Sequence, residues 1–303
     1  MKKNILFIIL FNIILIIVLA LFLDLLFVYY KNNSYIIQNG FRLLPQEEAQ
    51  YSKNSRDGVS GPANVNPQPD KRNIVFSGCS IAYGLFLPFE ETIGYLVSEL
   101  SGRKVFNRGS SSTCISHVLY ELTDTKYYDE IENPEYMFFI YDPVLHSTRI
   151  NTFVYNETSQ IEYLFYKLTD NKLSVGHSIP FLSALSLYRH FTFENNLRNH
   201  FTDYHKALTI KLFEEVNNKI HEKFPDIHFI VIVYEGNYKQ FDYTNQFYKD
   251  VFNAISDFGI EILSVNEMLE DDCSKDKYKS DFAHPNSIVW KKVAEKLVEK
   301  YNL

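Results

Sequence analysis

From Asn73 to the C-terminus, short apolar runs alternate with segments of helical periodicity, and this alternation limits the fold more than any other property of the chain. The runs are Ile74–Phe76, Lys104–Phe106, Tyr136–Tyr141, Ile227–Tyr234 and Ile260–Val265. Near-continuous apolar strands suit a sheet buried on both faces, and parallel neighbours in such a sheet need helical crossovers. Two helices are explicit. Asn286 is a natural N-cap, and Val289, Val293 and Leu297 follow it at four-residue spacing. A second helix is expected to start at Thr202 or Asp203 and to bury Leu208, Leu212, Val216 and Ile220. The pattern predicts an α/β fold, a three-layer α/β/α sandwich around a parallel sheet.

The first run leads into Ser77-Gly78-Cys79-Ser80-Ile81-Ala82-Tyr83-Gly84, a small, glycine-flanked turn before a helical pattern. In open α/β sheets such a turn lies at the carboxyl edge of the strands, where ligands bind. Ser80 is therefore a candidate nucleophile. A hydroxyl is a weak nucleophile at neutral pH and needs a positioned base and a group that orients the base. Asp281-Phe282-Ala283-His284-Pro285-Asn286 offers both: Asp281 can receive one ring N–H of His284 while the other nitrogen faces Ser80. A serine after a strand is usually only a turn residue, and an isolated Asp-x-x-His only a helix approach. Their combination on one sheet points to a Ser-His-Asp hydrolase.

These stretches resemble the SGNH, or GDSL-like, hydrolase family. Gly78 to Gly84 is similar to its first block, with Cys79 where the family name has Asp. Val105-Phe106-Asn107-Arg108-Gly109 is similar to the second block, and Asp281 to His284 to the last. The resemblance runs from about Asn73 to the C-terminus and implies a flavodoxin-like sheet, a catalytic triad of Ser80, Asp281 and His284, and an oxyanion hole from the N–H groups of Ser80 and Gly109. The third block departs from the family pattern: Ile140-Tyr141-Asp142-Pro143 carries Asp142 where the family places Asn. A carboxylate accepts hydrogen bonds and cannot donate to an oxyanion unless protonated. Asp142 is instead a candidate acceptor for a sugar hydroxyl, and His146 and Arg149, just beyond, are candidate donors; the alternative for that pair is an exposed loop.

An insertion follows at about 146–201. Tyr163 to Leu168 and Leu173 to Val175, separated by Thr169-Asp170-Asn171-Lys172, predict a hairpin. The aromatic segment after it, with Phe181, Tyr188, Phe191 and Phe193, either covers the site or packs the insertion on the domain.

At the other end, Ile5 to Leu23 carries no charge, Lys2 and Lys3 precede it, and Tyr29 and Tyr30 close it. The run exceeds the roughly 7–15 apolar residues of a signal peptide, and with Leu25 to Tyr30 after Asp24 the apolar helix can exceed the roughly 20 that span a bilayer. Residues 1–30 are expected to be a transmembrane anchor with the N-terminus inside, 31–72 a tether, and 73–303 the hydrolase domain, facing the periplasm or cell exterior.

The net charge of −7 over 303 residues argues against a nucleic-acid binder, which should show a basic stripe, so no nucleic-acid partner is expected. Cys79, Cys114 and Cys273 lack metal-ligand spacing, and no cofactor is expected. Cys79 and Cys114 read either as two small thiols or as a disulfide. The scattered His117, His177, His190, His200 and His205 read as structural or solvated. The resemblance implies an esterase or deacetylase removing small acyl groups, such as O-acetyl, from a cell-surface glycan. An O-acyltransferase, a lipid or thioester hydrolase, and a non-catalytic carbohydrate-binding or assembly module remain open alternatives.

Overall fold

The computed structural model describes residues 11–12, 14–26, 59–60, 71–85, 87–110, 113–124, 127–144, 146, 165–176, 202–235, 246–269 and 284–303. A six-stranded sheet organises the domain. Its strands are β1 (Val59–Ser60), β2 (Asn73–Gly78), β3 (Val105–Gly109), β4 (Pro134–Tyr141), β7 (His228–Val233) and β8 (Glu261–Ser264), in the order β1-β3-β2-β4-β7-β8. The last five in that order are mutually parallel, while β1 joins the β3 edge antiparallel. Counted in chain order, the parallel strands run 2-1-3-4-5. This is the flavodoxin-like arrangement, whose crevice opens where the order reverses, between β2 and β4.

The strands' apolar runs are continuous because helices cover both faces. The helices are α1 (Ser80–Tyr83), α2 (Ile93–Ser101), α3 (Ile115–Asp124), α4 (Asp203–Lys223), α5 (Gln246–Asp257), α6 (Val265–Met268) and α7 (Ser287–Tyr301). Side chains alternate across a strand, so β4 sends Met137, Phe139 and Tyr141 into the core under α3, α4 and α5. Phe138 and Ile140 enter the opposite core, under α1, α2 and α7. Both expected helices form as read. Thr202 caps α4, its Oγ1 accepting from His205 N–H, and Leu208, Leu212, Val216 and Ile220 are all buried. Asn286 caps α7, which buries Val289, Trp290, Val293 and Leu297.

The expected hairpin is present as β5 (Phe165–Thr169) and β6 (Lys172–Gly176). Asp170 (φ 50°) and Asn171 (φ 60°) are both left-handed, the requirement of a two-residue type I′ turn. Tyr166 is buried, Leu168 and Leu173 pack against the α4-side core, and Leu168 N–H donates to Tyr204 Oη at 3.3 Å. The aromatic segment after the hairpin lies outside the described residues.

Of the expected tether, residues 59–60 and 71–72 are described. Val59 and Ser60 pair with Phe106 and Val105, because β3 would otherwise leave a row of backbone groups unpaired at the sheet edge. Lys71 Nζ donates to Ser101 O at 3.0 Å and Arg72 to Pro134 O at 2.6 Å, so the tether's end is fastened to the base of the domain. Of the expected anchor, residues 11–12 and 14–26 are described and helical. Among the described residues no helix is long and apolar enough to cross a membrane. Cys79 and Cys114 are buried thiols rather than a disulfide; Cys114 Sγ lies 3.0 Å from Ser116 Oγ.

Candidate active site

β2 ends at Gly78 with φ 138°, and a Cβ there would lie 2.6 Å from the Ile140 carbonyl oxygen. Glycine alone lets β2 run flush against β4 and then turn sharply. The turn delivers Ser80 as the first residue of α1, at the carboxyl edge of the sheet beside the crevice. His284 arrives from the far end of the chain, two residues before the Asn286 cap of α7. Asn286 Oδ1 accepts from Ile288 N–H (3.1 Å) and Val289 N–H (3.2 Å), which fixes where the incoming segment meets the helix.

These two approaches place Ser80 Oγ 2.9 Å from His284 Nε2. For the imidazole to act as base, Nε2 must carry the lone pair and Nδ1 the proton, which leaves Nδ1–H for an orienting carboxylate. Asp281, expected in that role, lies outside the described residues, as does Arg149. Ser80 and His284 are 4% and 9% exposed, so their hydrogen bond is largely sheltered from competing water.

The turn after β3 packs on the nucleophile turn. A Cβ at Gly109 would lie 2.5 Å from Tyr83 N, so the absence of a side chain is what allows α1 to approach β3. The Gly109 N–H, expected to meet an oxyanion, instead donates to Asn107 Oδ1 at 2.9 Å. Asn107 Nδ2 in turn donates to Ala82 O at 2.9 Å. Asn107 is thus a functional candidate that the block resemblance does not mark. The available signal is a carboxamide on the face of β3 that also carries Val105 and meets α1.

Asp142, at the end of β4 across the crevice, is fully buried. Its Oδ1 accepts from Val144 N–H at 3.0 Å and its carbonyl from His146 N–H at 2.9 Å, so it opens a helical turn after the strand. The His146 ring lies 5.4 Å from Phe139 and 5.1 Å from Tyr141, centroid to centroid, on the face of β4 that packs against Phe213 of α4. That is the face opposite α1 and α7, so the structure does not bring His146 to the Ser80–His284 pair. His117 and His205 have structural partners: His117 Nδ1 accepts from Cys114 N–H, and His205 Nδ1 lies 2.6 Å from Thr202 Oγ1.

A second polar cluster lies beneath the same strands on the α3 face. Ser77 Oγ is 3.1 Å from Tyr128 Oη, and Arg108 forms an ion pair with Glu130 while its guanidinium stacks 4.5 Å over Tyr127. Burial pushes the Glu121 carboxyl up to about 8, against the opposing pull of Arg108, and burial followed by Glu121 raises the Tyr128 phenol well above its ordinary value.

A doubly covered parallel sheet in 2-1-3-4-5 order now carries a serine after its first strand, hydrogen-bonded to a histidine before its last helix. This arrangement is the one that the resemblance of the sequence to SGNH-like hydrolases implies. No family model and no curated protein matches the chain. Solved structures similar to this domain include a protein assigned to the G-D-S-L lipolytic family from Desulfitobacterium hafniense. It has 11% identity and a TM-score of 0.43, over 76% of this chain and 99% of that one. An acetylxylan esterase from Geobacillus stearothermophilus has 8% identity and a TM-score of 0.41, over 77% and 94%. A family two carbohydrate esterase from Clostridium thermocellum, solved with cellohexaose, has 13% identity and a TM-score of 0.44, over 78% and 65%. These likenesses are distant and assign no substrate to the chain.

Proposed function

We propose that the chain is a serine esterase that removes small acyl groups, O-acetyl foremost, from a glycan at the cell surface. The observation that carries this reading is the 2.9 Å contact between Ser80 Oγ and His284 Nε2 at the carboxyl edge of the sheet. Ser80 Oγ attacks the ester carbonyl carbon while its proton passes to Nε2. The tetrahedral oxyanion then collapses, the bond between the acyl carbon and the sugar oxygen breaks, and the imidazolium gives its proton to that oxygen, which leaves as the hydroxyl. Water repeats the sequence on the acyl-enzyme, releasing the carboxylic acid and restoring Ser80. Asp281 is the proposed orienting carboxylate. The Ser80 N–H, in the first turn of α1 where N–H groups have no intrahelical acceptor, is the proposed oxyanion donor.

The shelter of both reacting side chains favours a small acyl group over a long chain. The cell-surface location belongs to the same proposal: residues 1–30 would anchor the protein in a membrane, the domain facing outward. What favours it is the charge-free run from Ile5 to Leu23 and the exposure of Phe11, Ile16, Val18 and Phe22 along its helical part.

The test is hydrolysis of nitrophenyl acetate and of an acetylated glycan, with covalent labelling by a fluorophosphonate. Ser80→Ala and His284→Ala are each expected to lose at least about 10³-fold in kcat/KM, and Ser80→Ala to lose the label. Equal rates in all three proteins, with no label on the wild type, would defeat the reading. Faster turnover of long-chain than of acetyl esters would replace the deacetylase with a lipid-type esterase.

A further inference from the structure

Two carbonyl oxygens bracket Ser80 in sequence, and both are held by side chains of the same neighbouring segment. Two residues before it, Gly78 O accepts from Ser110 N–H at 3.0 Å and lies 2.7 Å from Thr113 Oγ1, whose single proton is shared with Ser110 O at 2.8 Å. Two residues after it, Ala82 O accepts from Asn107 Nδ2 at 2.9 Å. Helix α1 has only four residues, too few to stabilise itself. Its Ser80 and Ile81 carbonyls accept from the Gly84 N–H, and Leu85 N–H also donates to Ser80 O, while the Ala82 carbonyl is served by a side chain from another strand.

Asn107 uses both ends of its carboxamide, since Oδ1 takes the Gly109 N–H at 2.9 Å. It is 5% exposed and Thr113 is 4% exposed, so burying these polar groups stabilises the domain only if their partners are met. On β3 the register opposes Asn107 to Phe76, in a layer where an aliphatic side chain would otherwise fit. The carboxamide is explained by what it grips, which is the helix that carries the nucleophile.

We propose that Asn107 and Thr113 are positioning residues that clasp the nucleophile turn on both sides and thereby fix Ser80 Oγ against His284 Nε2. Neither touches the reacting atoms. The inference rests on the hydrolase reading above. A reacting group displaced by about 1 Å costs on the order of 10²-fold in rate. Asn107→Asp keeps the size and the acceptor for Gly109 but sets an oxygen against the Ala82 carbonyl. Thr113→Val keeps the shape and removes the hydroxyl from Gly78.

The experiment measures kcat and KM for nitrophenyl acetate, the rate of fluorophosphonate labelling, and the thermal midpoint, for the full chain and both variants. Asn107→Asp is expected to lose about 10²-fold in kcat and in labelling rate, with KM little changed. Thr113→Val is expected to lose less, in the same parameters, and all assays are run well below the midpoints. If Asn107→Asp fails to fold, Thr113→Val decides. Folded variants with wild-type kcat and labelling rate, whatever their midpoints, would overturn the positioning role and leave the hydrolase intact. A wild type that neither labels nor turns over would overturn the hydrolase reading and this inference with it.

Discussion

Glu121 shows how a single residue behind the site sets a property of the whole domain. Its carboxyl sits beneath the sheet with a value raised from 4.5 to about 8 by burial, the Arg108 charge only partly opposing. In the unfolded chain it titrates near its ordinary value. Between about pH 4.5 and 8 the unfolded chain has therefore released a proton that the folded chain retains. Stability should fall as pH rises through this window, by up to about 1.4 kcal/mol per unit, and level off above it. Glu121→Gln removes that slope. Thermal midpoints of the two proteins from pH 5 to 9 should diverge as pH rises, the variant being the more stable at pH 8; parallel curves would mean that Glu121 is ionised when folded. Ser80 and His284 were legible from sequence because each sits at a turn whose place in the fold the neighbouring strand or helix dictates. The direction of the Gly109 N–H was not. It depends on a side-chain acceptor two residues away, and no periodicity reports such a contact. Asp142 and His146 were rightly placed after the third parallel strand, but whether a side chain there turns toward the crevice or into the α4-side core is decided by packing.

At the scale of elements, the segment that ends in His284 is held by a cap. Asn286 Oδ1 takes two N–H groups of α7, and Asn286→Ala should destabilise the domain by about 0.5–2 kcal/mol. Because the same cap fixes the entry to α7, the variant should also lose esterase activity at temperatures where it remains folded. Urea titration and kinetics on one preparation check both, and an unchanged stability would show that backbone packing alone sets the helix start. Strands with continuous apolar runs were legible, as was the hairpin, whose Asp170-Asn171 pair suits the left-handed turn. β1 was not legible, because two residues carry no pattern and its pairing is supplied by the open edge of β3. Nor was α1 legible as a helix: it exists by gripping β3, a tertiary contact.

For the molecule as a whole, the sheet divides the interior into two cores. The one beneath α1, α2 and α7 is centred on Trp290, fully buried between the sheet and α7. Trp290→Ala should cost about 3–5 kcal/mol, measured by denaturant unfolding; a loss under about 1 kcal/mol would mean that the layer collapses around the gap. The α/β class followed from alternation, while the strand order came with the family resemblance, since periodicity does not say which strands are neighbours. Ser80, the proposed nucleophile, follows the first parallel strand, and His284, its proposed base, lies just ahead of α7, 204 residues later. During synthesis, then, a ribosome releases Ser80 well before His284, so the growing polypeptide lacks the proposed catalytic pair until residue 284 has emerged. A product terminated before residue 284 would retain every described strand and Ser80 yet lack the proposed base, so turnover would report on synthesis past residue 284 as well as on folding.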